Sequence, residues 1–438
     1  MVYLIVGIFE DEKVDYFYPL TYTRAVYDLR IGMYTLRERI IEELKPDIIH
    51  LFVRDYLAEL YRWREGKKGY KVNEVDDIAD DILLVNGRLL VDQPTAETLL
   101  KAIASESNTL LAKGNDIVAL KLSKELAEKY LELFLKPVSA ELLIDLKESV
   151  KVLQYAEAKL VDYPWDIVLN NAEWIKYDFE RKFKGKEWEG EVDKNVVIYG
   201  DKANVYVAKG ASVEAFTVID VREGPVYIGE NTRVQPGCRI EGPTCIGKDT
   251  LIVGGAQIRE GSNIGDVCRV GGEFEESVMH GYTNKYHAGF IGHAYIGEWV
   301  NLGALTTNSD LKDTYGTVKV TIRDKRVDTG SRKVGCFIGD MVKTSIGVVI
   351  YTGKKIGVSA HLHGVVWEDV PSFTIYAKSL GAEPTELLLE SAIETQRRMM
   401  SRRKKILSKY EIEVIKKIFE LTAEERKKAG VKKGRFKL

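Results

Sequence analysis

The sequence predicts an α/β domain on a mostly parallel sheet over residues 1–190, a left-handed parallel β-helix of hexapeptide repeats over 195–370, and a helical C-terminal tail over 371–438. Three observations carry this. Strand-like and helix-like runs alternate through the first part of the chain. An apolar residue then recurs every six positions at Ile228, Val234, Ile240, Ile246, Ile252, Ile258, Ile264 and Val270 without a slip. From residue 385 onward helical spacing returns, in a segment with 16 Lys+Arg against 8 Asp+Glu.

In the first domain, Val2–Phe9, Asp47–Val53, Asp81–Asn86, Thr109–Lys113 and Asp116–Leu122 read as strands. Between them, Ala25, Leu29, Met33, Leu36, Ile40 and Leu44 keep helical spacing, and a second helix is expected to start near Pro94–Thr95. Such alternation implies helices on both faces of the sheet, with ligands bound beyond the C-terminal strand ends.

A period of six fits neither a helix nor a repeated hairpin. It fits a triangular coil with one short strand per face, the aliphatic residue pointing inward and small residues turning the corners. Ile228-Gly229, Ile246-Gly247 and Ile264-Gly265 have that form. Val207, Val213 and Ile219 precede the main run; Phe290, Ile296, Leu302 and then Ile338, Thr344, Ile350, Ile356, Leu362 follow in new registers. The breaks at 271–289 and 308–337 are expected to be loops expelled from the coil, the usual place for function on a solenoid. In the tail, Thr422-Ala-Glu-Glu425 has the form of a capping box. The run Arg402-Arg403-Lys404-Lys405 reads either as a solvated helix face or as an attractor of phosphates.

The 438 residues, 45% hydrophobic and 30% charged with a net charge of −2, give no global sign of a nucleic-acid or membrane partner. No apolar run reaches the roughly 18–20 residues of a membrane span, and MVYLIVGIFEDE reads as a first strand. Cys238, Cys245, Cys268 and Cys336 form no CxxC pair and read as core thiols, which points to a cytoplasmic setting.

The richest chemistry lies in 282–304, YTNKYHAGFIGHAYIGEWVNLGA. A neutral imidazole at His287 is placed to take a proton from an amine attacking a thioester, help typically worth about 10²–10⁴-fold. Lys285 is placed to hold a sugar phosphate and Asn301 to hydrogen-bond an amide or hydroxyl. A loop-closing polar role for His287 is the plainer reading. A zinc site is the rival, since His280, His287, His293, His361 and His363 share this domain. Residues on one face recur about every eighteen positions, however, so His287 and His293 belong to neighbouring faces.

The stretch 256–304, through REGSNIGD, the Lys-x-His before a hydrophobic-Gly step, and IGEWVNLGALT, resembles the acetyltransferase half of the bifunctional UDP-N-acetylglucosamine pyrophosphorylase/glucosamine-1-phosphate N-acetyltransferase family. GYTNKYHAGFIG, NSDLKDTYGTVKV and PLTYTR24 followed by DLRIG32 resemble an alternative branch of it, whose nucleotidyltransferase-like (Rossmann-like) first domain lacks the glycine-rich loop. The resemblance covers nearly the whole chain. It implies His287 as general base, Asn301 in the amino-sugar site and Ala304 beside acetyl-CoA. It implies Arg24, Arg30, Arg37 and Asn86 as nucleotide-phosphate contacts, and Mg²⁺ held by Asn171 and Asp92. It implies a homotrimer that uses a sugar-1-phosphate, a nucleoside triphosphate and acetyl-CoA. The chain departs from the family at Phe290, where a tyrosine is usual, and at Gly271-Gly272-Glu273, where a lysine pair is usual. Two alternatives stay open: an acetyltransferase with a silent first domain, and a non-catalytic scaffold that senses sugar nucleotides.

Overall fold

The computed structural model describes residues 3–436 apart from 77, 106, 107, 143–145, 147 and 148. The first domain is a seven-stranded sheet. Its strands are β1 (Ile5–Phe9), β2 (Ile48–Leu51), β3 (Lys71–Val72), β4 (Ile82–Asn86), β5 (Thr109–Lys113), β6 (Asp116–Leu122) and β7 (Lys151–Gln154), in the order β3-β2-β1-β4-β6-β5-β7. β1 pairs in parallel with β2 and β4, and β6 runs antiparallel to both β4 and β5. The central strands are buried on both faces, as near-continuous apolar runs require. Val6 and Ile8 pack with α1 (Leu36–Leu44), α2 (Asp55–Glu65) and α3 (Gln93–Ile103), while Ile5 and Phe9 pack on the opposite face with Tyr130 and Phe134.

The helical spacing read from Ala25 to Leu44 becomes a helix only from Leu36. Gly32 takes φ +63°, where a Cβ would meet Asp178 and Arg39, and Thr35 with Glu38 forms a reciprocal capping box. Arg30 therefore lies in a short hairpin and not on a helix face with Arg37.

The hexads form a left-handed parallel β-helix with three faces. One begins at Glu191–Val192 and passes through Ser212–Val213, Arg233–Val234, Leu251–Ile252, Arg269–Val270 and Asn284–Lys285. The second starts at Val197–Tyr199, and the third runs from Val205–Val207 to Lys355–Ile356. All eight residues of the unbroken hexad run are fully buried along the prism axis. Among the later sets, Phe290 is turned outward and Ile291 takes the core position beside Ile296.

The segment 271–289 is not expelled. It forms a shortened turn whose strands stay in register, with Ile258 opposite Phe274, Ile264 opposite Met279 and Arg269 opposite Asn284. Residues are lost at the corners, so the six-residue period slips while the ladder continues. The second break, 308–337, does leave the coil as a hairpin of Lys319–Ile322 and Lys325–Asp328. Val318, Val320 and Ile322 bury its inner side in a core shared with the first domain and the tail, and Arg323 reaches Asp15 at 2.6 Å.

A long helix, Pro164–Lys182, joins the two domains. Asn171 donates to Gly261 O at 2.9 Å and accepts from Gly32 N–H and Asn263 Nδ2. Arg39 makes a buried bidentate pair with Asp178 at 2.6 and 2.7 Å. The tail supplies helices Leu389–Ser401, Lys409–Leu421 and Ala423–Lys428, the second lying against α2. Thr422 does not form the expected box: its hydroxyl donates to Ile418 O, and Glu425 turns away to bind Tyr22. The box of the tail is at Ser408 and Glu411.

Candidate functional site

One corner of the coil, between its first and second faces, runs past Phe216, Gly237, Gly255, His287, Leu305 and Ile346. Successive turns are tied there by Gly237 N–H to Ala215 O, Leu305 N–H to Ala288 O and Gly347 N–H to Ala304 O, at 3.2, 2.8 and 2.8 Å. Phe216, Leu305 and Ile346 stand 72%, 62% and 77% exposed along it. His287 is exposed on this apolar edge, its ring against Tyr286, and among the described residues no group hydrogen-bonds its imidazole. It sits at a coil corner and not at the end of an expelled loop.

The face beside this corner carries Arg269, Asn284, Asn301, Lys343 and His361 in one register row. Asn284 Nδ2 donates to Asn301 Oδ1 at 2.9 Å, which fixes the Asn301 amide on the side toward His287's turn. Ala304 lies half-buried on the next turn of the corner itself.

Lys285 is not placed to hold a phosphate. It pairs with Val270 at an inward position of the ladder, where the pattern otherwise puts an aliphatic residue, and is 2% exposed. Its ammonium donates to Gly271 O at 2.8 Å and to His287 O at 2.9 Å, and burial lowers its pKa to about 8. Lys285 thus holds the corner backbone that presents His287.

Sequence reasoning missed a second buried network. His293 meets Glu276 and Asp310, both at 2.8 Å, one on each ring nitrogen. Burial works against its charge, but the hydrogen bonds to Asp310 and Glu276 prevail and raise its pKa to about 9. Asp310 opens the hairpin insertion, so no sequence spacing tied it to His293. Because the folded pKa exceeds the unfolded value of about 6.5, the stabilisation is complete below that pH and fades as pH rises through about 9. His293→Gln is expected to cost roughly 2–3 kcal/mol at pH 6 and much less at pH 9.5, checked by urea unfolding at the two pH values. An equal cost at both would show that the ring is uncharged.

In the first domain, the crevice beyond the strand ends is filled. Arg88 reaches Asp11 at 2.7 Å and Asp162 at 2.7 Å, and Lys13 bridges Asp116 and Asp162 at 2.8 and 2.9 Å. Asn86 is buried there and donates to Asp11 and Ile117 O, both at 2.8 Å, so it is closed off from a phosphate. The expected metal ligands do not fit an ion. Asn171 is fully buried with its amide engaged between the domains. Asp92 caps α3 through Thr95 and pairs with Lys159 at 3.0 Å. Among the described residues no group of three or more His, Cys, Asp or Glu is arranged to hold a metal.

Arg24, Arg30 and Arg37 come together at one cleft of about 570 Å³ between the first domain, the coil and the tail. Arg24 crosses to the coil and pairs with Asp340, with Glu298 at 3.4 Å. Arg37 is neutralised by Asp28 at 2.8 Å and Glu65 at 3.0 Å. Among the described residues, the Arg30 guanidinium hydrogen-bonds Asn263 alone, at 3.4 Å. Of the three, Arg30 alone has no carboxylate within ion-pair distance among the described residues.

The family model described as sugar nucleotidyl transferase matches residues 6–187. A bifunctional sugar-1-phosphate nucleotidylyltransferase/acetyltransferase of Sulfurisphaera tokodaii is 39% identical over 152 residues, which cover 34% of this chain and 38% of that protein. A bifunctional protein GlmU of Methanococcus aeolicus is 27% identical over 377 residues, covering 77% of this chain and 88% of its own length. The uncharacterized acetyltransferase YaiX of Escherichia coli O6:K15:H31 is 33% identical over 170 residues, 38% of this chain and 74% of that protein. No helix among the described residues is long and apolar enough to cross a membrane.

Proposed function

The chain belongs to the family of bifunctional sugar-1-phosphate nucleotidyltransferase/acetyltransferases, and from that premise we propose that its coil transfers an acetyl group from acetyl-CoA to the amine of a sugar-1-phosphate at the His287 corner. The exposed imidazole of His287 on an apolar prism edge carries this reading. The amine nitrogen attacks the thioester carbonyl while His287 takes the proton the amine loses. The C–S bond breaks, CoA leaves as the thiol after protonation, and the amide remains on the sugar. Asn301 is placed to orient the sugar and Ala304 to leave room for the acyl donor.

The same corner supports a homotrimer. Leu305 and Ile346 are exposed apolar residues at consecutive turns beside the base. Packing a neighbouring prism on that edge would cover them and narrow a slot for acetyl-CoA. The proposed setting is the cytoplasm. The first domain's proposed role is nucleotidyl transfer to the acetylated sugar phosphate, making UDP-N-acetylglucosamine or a close relative with release of pyrophosphate. That chemistry calls for Mg²⁺; its ligands are left unassigned, because Asn171 and Asp92 do not fit.

A second reading, acetyl transfer with a silent first domain, is favoured by the Arg88 and Lys13 pairs that fill the strand-end crevice. Parallel assays of CoA release and pyrophosphate release on amino-sugar phosphates separate the two readings. Both products support the bifunctional enzyme, and CoA alone supports the second reading.

Lys285→Met keeps the aliphatic filling of the prism and removes the two carbonyl contacts. It is expected to lower kcat for acetyl transfer by about 10-fold with little change in KM, measured by CoA release. A rise in KM with unchanged kcat would instead return Lys285 to phosphate binding.

A further inference from the structure

We propose that the cleft between the first domain, the coil and the tail binds a nucleoside diphosphate group, free or as part of a nucleotide sugar, and that the basic run of the tail closes over it.

Seven cationic side chains line this cleft of about 570 Å³ against four acidic ones. Arg24 and Arg37 are already neutralised. Arg30, Arg64, Arg403 and Lys405 have no carboxylate within ion-pair distance among the described residues. Arg30 is the telling one, since its Nε is buried with no hydrogen-bond partner. A buried guanidinium nitrogen left without an acceptor is costly unless an anion completes it. At Arg403, burial and the charges of Arg269 and Arg402 push the pKa down, as expected where cations gather without an acid. Clustered guanidinium forks of this kind match the paired oxygens of a diphosphate.

Beside these charges stands a neutral ring, His280. The backbone N–H of Arg30 donates to the Tyr295 hydroxyl at 2.7 Å, and the Tyr295 oxygen lies 2.8 Å from His280 Nε2. Burial and the nearby Arg24 and Arg30 charges hold the ring in its neutral form.

A second hollow of about 500 Å³ adjoins the cleft and shares Arg30, Lys248 and Asp266 with it. Its walls include Tyr34, Tyr70, Phe183 and Tyr227, partly buried rings suited to a base or a ribose. The charged cleft and the aromatic hollow meet at Arg30, as the phosphates and the nucleoside of one ligand would. Both hollows fall in the size range of small-molecule sites. Arg403 and Lys405 lie just past the helix that ends at Ser401, so an occupied cleft ties the tail to both domains. The inference does not depend on whether the first domain transfers a nucleotidyl group.

The test is calorimetric titration of the full chain, at low salt, with UDP, inorganic pyrophosphate and uridine. UDP is expected to bind more tightly than pyrophosphate, and uridine least. The double variant Arg403→Ala/Lys405→Ala is expected to weaken UDP and pyrophosphate by 10-fold or more. Tyr227→Ala is expected to weaken UDP and leave pyrophosphate unchanged, with circular dichroism confirming the fold of both variants. UDP bound by the double variant as tightly as by the wild type would put the ligand elsewhere, overturning this proposal while leaving nucleotidyl transfer intact. Absence of UDP binding to the wild type at millimolar ligand would overturn it as well.

Discussion

His287→Ala is expected to remove most acetyl transfer, with a fall in rate of about 10²-fold or more. The side chain is exposed at a coil corner and contributes nothing to the aliphatic stack. Stability should therefore change by less than about 1 kcal/mol, and pyrophosphate release from a pre-acetylated sugar phosphate should persist. CoA release is the readout, with thermal unfolding as the control. A variant that acetylates amino-sugar phosphates at the wild-type rate removes His287 from the chemistry.

The second large effect is structural. From the sequence, Arg24 reads as a phosphate contact whose loss impairs pyrophosphate release alone. Its burial against Asp340 of the coil gives it a different task. Removing one partner of a buried pair leaves the other charge uncompensated, at about 3–5 kcal/mol. Arg24→Ala is thus expected to lower the unfolding temperature, or to split the transition into separate steps for the first domain and the coil. Both activities should weaken together as the domains loosen. Arg24→Ala combined with Asp340→Ala should cost less than the sum of the single changes, since no charge is then stranded. Scanning calorimetry of the four proteins decides this; strict additivity would mean that the pair carries no coupling.

The coil was the most legible part of the molecule because its period is strict. Eight aliphatic residues six apart had one geometric solution, and all eight are buried on the axis. What interrupted the period was harder. A slip at 271–289 has the same appearance in sequence whether a loop leaves the coil or a turn loses residues at its corners. Only the backbone pairing of Arg269 with Asn284 tells them apart. Lys285 shows why residue type misleads: a lysine two before a histidine suggests a ligand site, yet its ladder position points it into the prism.

The first domain was legible in its sheet and poorly legible in its site. The strands follow from apolar runs bounded by polar turns. The partners of Arg24, Arg37 and Asn171 lie up to 316 residues away, and no local pattern records such pairings. The three arginines do converge on one cleft, but two of them are held there by acids. Besides Arg30, the cations without an acid among the described residues, Arg64, Arg403 and Lys405, come from α2 and from the tail, where a solvated face was the plainer reading of the basic run.

The account stands most directly on one assay: CoA release by the wild-type protein with acetyl-CoA and glucosamine-1-phosphate or another amino-sugar-1-phosphate. The coil reading requires that CoA appear in step with loss of the free amine, and that the reaction need the first and second substrates together. A folded protein that releases no CoA with any amino-sugar phosphate would contradict it and leave the His287 corner without its chemistry.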